Sequence, residues 1–291
     1  MNHLKTEGTT IYCKEVNIRE ILLSKENVKY FPQIIVEQET NLKLITPSPL
    51  HGRSVIVEYN FNSNSNRYTI TKGNGLTYFP YHFLATEELE DYAWGYLRKE
   101  DAIRDYQSGN YISQLGILTN VMEAVYTLEP NSIMLSSQIK NIEPTILQYN
   151  VICPYRVSDI PFLSKEMILY FVNSWSDLYE NIHSEIHCTA AEVLLKNVRL
   201  MHENDVLHNA IHSQNYTLSL ELLDFELSRT PVTPYDNEND ERSYKKLQKR
   251  EIIQSLEIVN HIAFFFKEKL NRKLLRHIMI KNGFENYLLP S

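Results

Sequence analysis

The stretch His208–Asp224, HNAIHSQNYTLSLELLD, constrains this chain more than any other. A helical run ending at Glu203 feeds into it, Asn215 lies in its middle, and Asp224 closes a Leu-rich segment. An amide oxygen and a carboxylate are hard donors of the kind Mg²⁺ takes beside phosphate oxygens. The stretch therefore predicts a metal pair, Asn215 and Asp224, with a turn cap and a strand end as the plain alternative. His208 is expected to bond backbone carbonyls and hold the loop's shape. His212 lies inside the loop, and an imidazole near its ordinary pKa could take a proton at neutral pH. A turn-stabilising role is its alternative.

The chain has 291 residues, 43% hydrophobic and 22% charged, enough to build a core in one large domain or two lobes. A net charge of −7 argues against a nucleic-acid binder held by phosphate contacts. No run of apolar residues is long enough to span a membrane, and MNHLKTEGTTIYCKE has no apolar centre, so neither a membrane span nor a signal peptide is expected. Cys13, Cys153 and Cys188 have no zinc or redox spacing and read as buried thiols in a reducing cytoplasm. His183, His187 and Cys188 lack a further ligand and are not expected to hold a metal.

Along the chain, Gln33–Val36 and Leu42–Ile45 read as short strands. Ser54–Phe61 and Arg67–Thr71 read as a hairpin around the polar turn Asn62–Asn66. Lys72-Gly73-Asn74-Gly75 follows directly. Glu87–Leu97 is expected to be helical, and so is Asp101–Leu115, interrupted by Gly109 and ended at Gly116. Val121–Leu128 and Leu147–Cys153 are the next predicted strands. From Ser164 the pattern turns to long helices at Lys165–Tyr179, Thr189–Glu203, Tyr244–Lys269 and Arg272–Lys281. Leu218–Leu223 reads as a hairpin, and Thr230–Ser243 as a Pro- and charge-rich loop without core residues.

This order resembles a bilobal protein-kinase-like α+β fold, with a β-rich lobe at 1–160 and a helical lobe at 161–291 that carries the catalytic-type loop 208–226. In such folds a strand Lys pairs with a helix acid and contacts phosphates, while a loop Asn and a following Asp hold metal. Lys72 fits the strand position. Its partner is expected to be Asp105, with Glu87, Glu88, Glu90 and Glu100 as rivals. The usual catalytic Asp would stand at Ala210. Small-molecule kinases resembling the aminoglycoside and choline kinases carry His-Gly-Asp-x-His-x-x-Asn here. This chain keeps His208, His212 and Asn215 but has Asn209 and Ala210 in place of the Gly and the Asp.

Over residues 50–226 the motifs resemble the selenoprotein O family of kinase-like protein adenylyltransferases. Gly52-Arg53 is similar to the end of that family's Leu-Gly-Asp-Gly-Arg loop, and Lys72-Gly-Asn-Gly-Leu-Thr77 to its Lys-Gly-Ala-Gly-x-Thr. Ala102-Ile-Arg-Asp105 with Leu115-Gly-Ile117 resembles its Ile-Arg-Glu…Leu-Gly-Ile. His208–Asn215 with Asp224 resembles its His-Gly-Val-Met-Asn-Thr-Asp-Asn…Asp, which also lacks an Asp at the position of Ala210.

The resemblance implies ATP and Mg²⁺ as cofactors, with AMP transferred to a hydroxyl on a protein or peptide. It assigns Gly52, Arg53, Lys72, Gly73, Gly75, Asp105 and Arg156 to the nucleotide and Asn215 and Asp224 to the metal. Arg156, in Tyr-Arg-Val-Ser, stands for the family's phosphate-contacting Arg. The family's base, the Asp before the Asn, is here Gln214, which cannot accept a proton, so His212 is the residue that could take over. A phosphotransferase acting on a small molecule or peptide, and an inactive scaffold, are the alternatives.

Overall fold

The computed structural model describes residues 18–25, 54–60, 67–73, 97–129, 143, 145–234 and 241–287. The expected strands at Gln33–Val36 and Leu42–Ile45, most of the expected helix Glu87–Leu97, and Gly52, Arg53, Gly75 and Cys13 lie outside them. By contacts the chain divides into two compact units. One is residues 1–107 with 120–155, the other residues 108–119 with 156–291.

The first unit is built on a five-stranded sheet in the order β1-β4-β5-β3-β2. Its strands are β1 (Ile18–Ser24), β2 (Ser54–Asn60), β3 (Arg67–Lys72), β4 (Val121–Leu128) and β5 (Thr145–Val151). Every neighbouring pair is antiparallel. The hairpin predicted from the β-branched run SVIVEYN and its return RYTITK is β2–β3, in register from Ser54↔Lys72 to Asn60↔Arg67. β3 is flanked on both sides, since Lys72 also pairs across to Leu147 of β5. A lysine at the end of an inner strand is thereby sunk to 4% exposure. Ala124, Tyr126, Leu128 and Ile146 form a buried apolar cluster. The odd-numbered Val125 and Thr127 of β4 are buried as well, so this strand is covered on both faces.

Helix α1 (Lys99–Gln114) starts on Glu100 and Asp101, which suit the positive end of its dipole. It runs through Gly109 without the expected interruption and stops at Gly116, whose φ of 79° is left-handed. Residues up to Gln107 belong to the first unit, and those from Ser108 onward group with the second.

The second unit is helical: α2 (Lys165–Asn173), α3 (Trp175–Leu178), α4 (Ile186–Glu203), α5 (Glu241–Phe265) and α6 (Arg272–Lys281). The single helix expected at Lys165–Tyr179 is broken at Ser174. The break lets Trp175 Nε1 donate to the Leu218 carbonyl at 2.8 Å and the Tyr179 hydroxyl to that of Ser219 at 2.7 Å. α4 is the core helix, buried along nearly its whole length by small and apolar residues such as Cys188, Ala190, Ala191, Leu194, Leu195, Val198 and Met201. It ends in a Schellman turn, with Asp205 left-handed at φ 55° and the Val206 N–H on the Met201 carbonyl at 2.9 Å. The last long helix begins at Glu241 and ends at Phe265, earlier at both ends than the expected Tyr244–Lys269. Among the described residues no helix is long and apolar enough to cross a membrane.

Gly73 follows β3 with φ 101°, and a Cβ placed there would lie 2.5 Å from the Thr145 carbonyl oxygen and 2.8 Å from Leu97 Cβ. Left-handed strain and overpacking therefore act together. Gly73→Ala should cost about 2–4 kcal/mol of stability. Thermal and urea denaturation check it, and a change under about 0.5 kcal/mol, typical of a neutral surface site, would refute the steric reading.

Candidate nucleotide and metal site

In the first unit Lys72 Nζ donates to Asp105 Oδ2 at 2.8 Å, with the two side chains 5% and 2% exposed. Asp105, the partner expected for this lysine, meets it; Glu87, Glu88 and Glu90 lie outside the described residues. Asp105 lies near the middle of α1 with Ala102 fully buried on the same helix, so core packing of α1 sets where the carboxylate sits. A buried ion pair is costly to desolvate and contributes little net stability, which leaves function as a reason to keep one.

In the second unit α4 delivers the chain to His208, which is fully buried. Its Nε2 donates to the Leu223 carbonyl at 2.9 Å, and its Nδ1 accepts the Ala210 N–H at 3.3 Å. Those two bonds fix one neutral tautomer. Burial is the largest influence on its pKa and lowers it, against the opposing fields of Glu251 and Asp224. His208 thus ties the start of the loop to the residue before Asp224, and its ring packs edge-on to Phe225 with centroids 5.4 Å apart.

Asn209 and Asp224 are both left-handed, at φ 64° and 67°. The first position is glycine in the families this loop resembles, and asparagine is among the few other residues that tolerate that conformation. The Asn209 N–H is held by Glu251 Oε1 at 2.6 Å, its carbonyl accepts from Arg250 Nη2 at 3.2 Å, and its Nδ2 donates to the Leu227 carbonyl at 3.1 Å. Glu251 is fully buried on α5, and its other oxygen meets His202 Nε2 at 2.9 Å. Sequence reasoning missed Glu251. In Lys-Arg-Glu-Ile-Ile an acid reads as part of a solvated helix face, and nothing local marks it as a loop anchor.

Asn215 is buried at 3% exposure. Its Nδ2 donates to the Ala210 carbonyl at 3.0 Å and faces His212 Nε2 at 3.4 Å. With the nitrogen engaged on the loop, the side-chain oxygen is the atom available to a hard cation, which is what the Mg²⁺ reading requires. Asp224, the carboxylate of the expected pair, is close enough to favour the protonated form of both His208 and His212. His212 keeps an exposed ring. Partial burial lowers its pKa first, Arg156 pushes the same way, and Asp224 opposes both, so it is neutral at pH 7. Gln214 is half-buried beside Asn215, and Arg156 Nη1 donates to its backbone carbonyl at 2.6 Å.

The structure thus gathers His212, Gln214, Asn215, Asp224 and Arg156 in the second unit, and Lys72, Gly73 and Asp105 in the first. Of the expected loop Thr230–Ser243, residues 235–240 lie outside the described residues, and the described start is not without core residues. Thr230 and Thr233 are buried, their hydroxyls lie 2.7 Å apart, and Thr233 reaches Ser108 at 2.7 Å. His187 and Cys188 are structural. His187 Nδ1 donates to Glu268 Oε2 at 2.6 Å, and its Nε2 accepts the Asn271 N–H at 3.1 Å. Burial pushes the Cys188 thiol up to about 11, which keeps it a neutral thiol.

No family model matches the chain, and no curated protein matches it. Among solved structures it is similar to a Stt7 homolog from Micromonas algae, soaked with ATP. That match has 10% identity, covers 80% of each chain, and has a TM-score of 0.39. It is also similar to the Toxoplasma gondii specific rhoptry antigen kinase domain, at 11% identity over 81% of this chain and 74% of that one, with a TM-score of 0.36. The chain's own layout is α+β, with its elements in the order expected of a kinase-like fold. A strand lysine is paired to a helix acid in one unit, and a core helix leads into a His-to-Asn loop, a hairpin turn and an Asp in the other.

Two outcomes are expected. Lys72→Met alone, which leaves the Asp105 carboxylate buried without its ammonium, should cost about 3–5 kcal/mol, and adding Asp105→Leu should restore most of it. A double-mutant cycle by urea denaturation checks this, and simple additivity would disprove the coupling. His208 has a depressed folded pKa, so its contribution is complete above about pH 6.5 and is lost as pH falls from there through the folded value. The wild-type Tm should accordingly fall more steeply than that of His208→Gln between about pH 6.5 and 5. Parallel slopes would exclude that contribution.

Proposed function

We propose that this chain is a Mg²⁺-dependent, ATP-using transferase that moves an adenylyl group to a hydroxyl of a protein or peptide. The observation that carries the reading is the Lys72–Asp105 pair, an ammonium buried to 5% exposure and held at 2.8 Å on an inner strand. In this reading Lys72 contacts phosphate oxygens and Asp105 keeps its ammonium oriented, while Gly73 lets the end of the strand pack against Thr145 and Leu97. Asn215 and Asp224 hold the metal through one amide and one carboxylate oxygen. Bound there, Mg²⁺ would neutralise phosphate charge and brace the leaving pyrophosphate.

Adenylyl transfer is favoured over phosphoryl transfer by what the loop lacks. Position 210 is Ala, with its backbone spent on His208 and Asn215, whereas the amide of Gln214 is a departure from the adenylyl-transferring pattern, which places a base there. The selenoprotein O family, which the motifs resemble, shares the first of these traits. In the transfer the acceptor oxygen bonds to the α-phosphorus, the bond to the β-phosphate bridge breaks, and pyrophosphate departs. The hydroxyl proton passes to His212, whose exposed, neutral ring lies beside Asn215. Positioning and charge neutralisation supply most of the rate, as phosphoryl chemistry allows.

The test is incubation with Mg²⁺ and ATP labelled separately at the α- and γ-phosphates. Retained α-label is expected, falling at least about 100-fold in Asn215→Ala and Asp224→Ala, as for loss of an electrostatic stabiliser. His212→Ala should fall by a similar factor, about 10²-fold, as for loss of a general base. Retained γ-label without α-label would convert the reading to phosphotransfer. No label and no nucleotide-dependent rise in Tm would leave a non-catalytic scaffold.

A further inference from the structure

The sequence resemblance makes Arg156 a phosphate contact, yet its guanidinium is engaged elsewhere. Arg156 is 6% exposed, and its Nη1 donates to the Gln214 carbonyl at 2.6 Å. Its own N–H is held by Asp159 Oδ2 at 2.8 Å, with Asp159 fully buried. The following residue pairs with the same loop, the Val157 N–H reaching the Tyr216 carbonyl at 2.9 Å, and Arg156 bridges to Thr217 as in an antiparallel ladder. Arg156 is thus fixed from its backbone outward before its side chain meets the loop.

The carbonyl it holds and the Asn215 N–H belong to one rigid peptide plane. The other end of that plane, the Asn215 N–H, is held by the His212 carbonyl at 2.9 Å. The next groups are secured by backbone alone. The Asn215 carbonyl accepts the Leu223 N–H at 2.9 Å, and the Thr217 N–H reaches the Glu221 carbonyl at 3.0 Å. Among these bonds the Gln214 carbonyl is the one group whose partner is a side chain, and that partner is charged, which makes it a strong tether.

We infer that Arg156 is a positioning residue: by locking the Gln214–Asn215 peptide plane it aims the Asn215 side-chain oxygen, and it does not serve as a phosphate contact. The inference rests on the reading of Asn215 as a metal ligand, but the tether itself can be tested without nucleotide. A guanidinium spent on a main-chain carbonyl has a measurable consequence in the loop's opening, whereas one reserved for phosphate does not.

The experiment uses the full chain with Arg156→Met and Arg156→Lys. Hydrogen exchange of the segment 209–217 should quicken by about tenfold or more in Arg156→Met, the scale of one charge-assisted bond, and lie in between in Arg156→Lys, with α4 and α5 unchanged. In parallel, binding of a fluorescent ATP analogue is titrated with Mg²⁺ and repeated in EDTA. Arg156→Met should raise the half-saturating Mg²⁺ about five- to tenfold, the lower end of typical site–site coupling, and leave metal-free affinity within about twofold. Unchanged loop exchange overturns the inference. So does a tenfold or larger loss of metal-free ATP affinity, because it assigns the guanidinium to phosphate. Failure of the wild type to bind nucleotide would remove the metal reading, while the exchange result still decides the tether. If Arg156→Met does not fold, Arg156→Lys gives both readouts.

Discussion

A buried loop must find hydrogen-bond partners for every peptide group that helix and sheet do not satisfy. That requirement organises the second unit. The segment from His208 to Asp224 is largely buried and holds little regular structure, so its donors and acceptors are met one at a time. His208 closes the span to Leu223, Glu251 and Arg250 hold Asn209, and residues 156–157 brace residues 214–217. Three left-handed residues, Asn209, Leu220 and Asp224, are the cost of this path, and the first and last of them flank the proposed metal ligand Asn215.

The same economy explains why so many polar groups in this region are spent. His187 is consumed by Glu268 and Asn271, and His202 by Glu251. These residues hold helices and loop in place and leave His212 as the exposed imidazole of the loop. In the first unit the counterpart is a single pair. Lys72 sits on an inner strand where an unpaired ammonium would be intolerable, and Asp105 answers it from α1. The chemistry proposed for the chain rests on groups already paid for in desolvation by the fold.

Much of this was legible in the sequence because it is local. The β-branched run at Ser54–Asn60, the turn-separated return at Arg67–Lys72, the stop at Gly116 and the helix Arg272–Lys281 each follow from patterns a few residues long. Asp105 as the lysine's partner and His208 as a backbone anchor were also readable, because their positions relative to neighbouring motifs restrict the choice. The break at Ser174 was not, because the apolar stripe continues across it, and what ends the helix is a pair of bonds to carbonyls forty or more residues away. The order of Thr230–Thr233 was hidden for a similar reason: its threonines are buried by hydroxyl contacts that reach Ser108.

By itself the sequence determined which residues are fit for the proposed chemistry, since hard oxygens, a strand lysine and the missing acids at Ala210 and Gln214 are matters of residue type and order. Only the tertiary structure decided what each side chain is free to do. It spent Arg156 on a carbonyl, turned the Asn215 nitrogen inward so that its oxygen remains, and recruited Glu251 from a helix face that reads as solvated. Hydrogen bonds across forty or more residues leave no periodicity in the chain, so the identity of a partner is settled when packing brings the groups together.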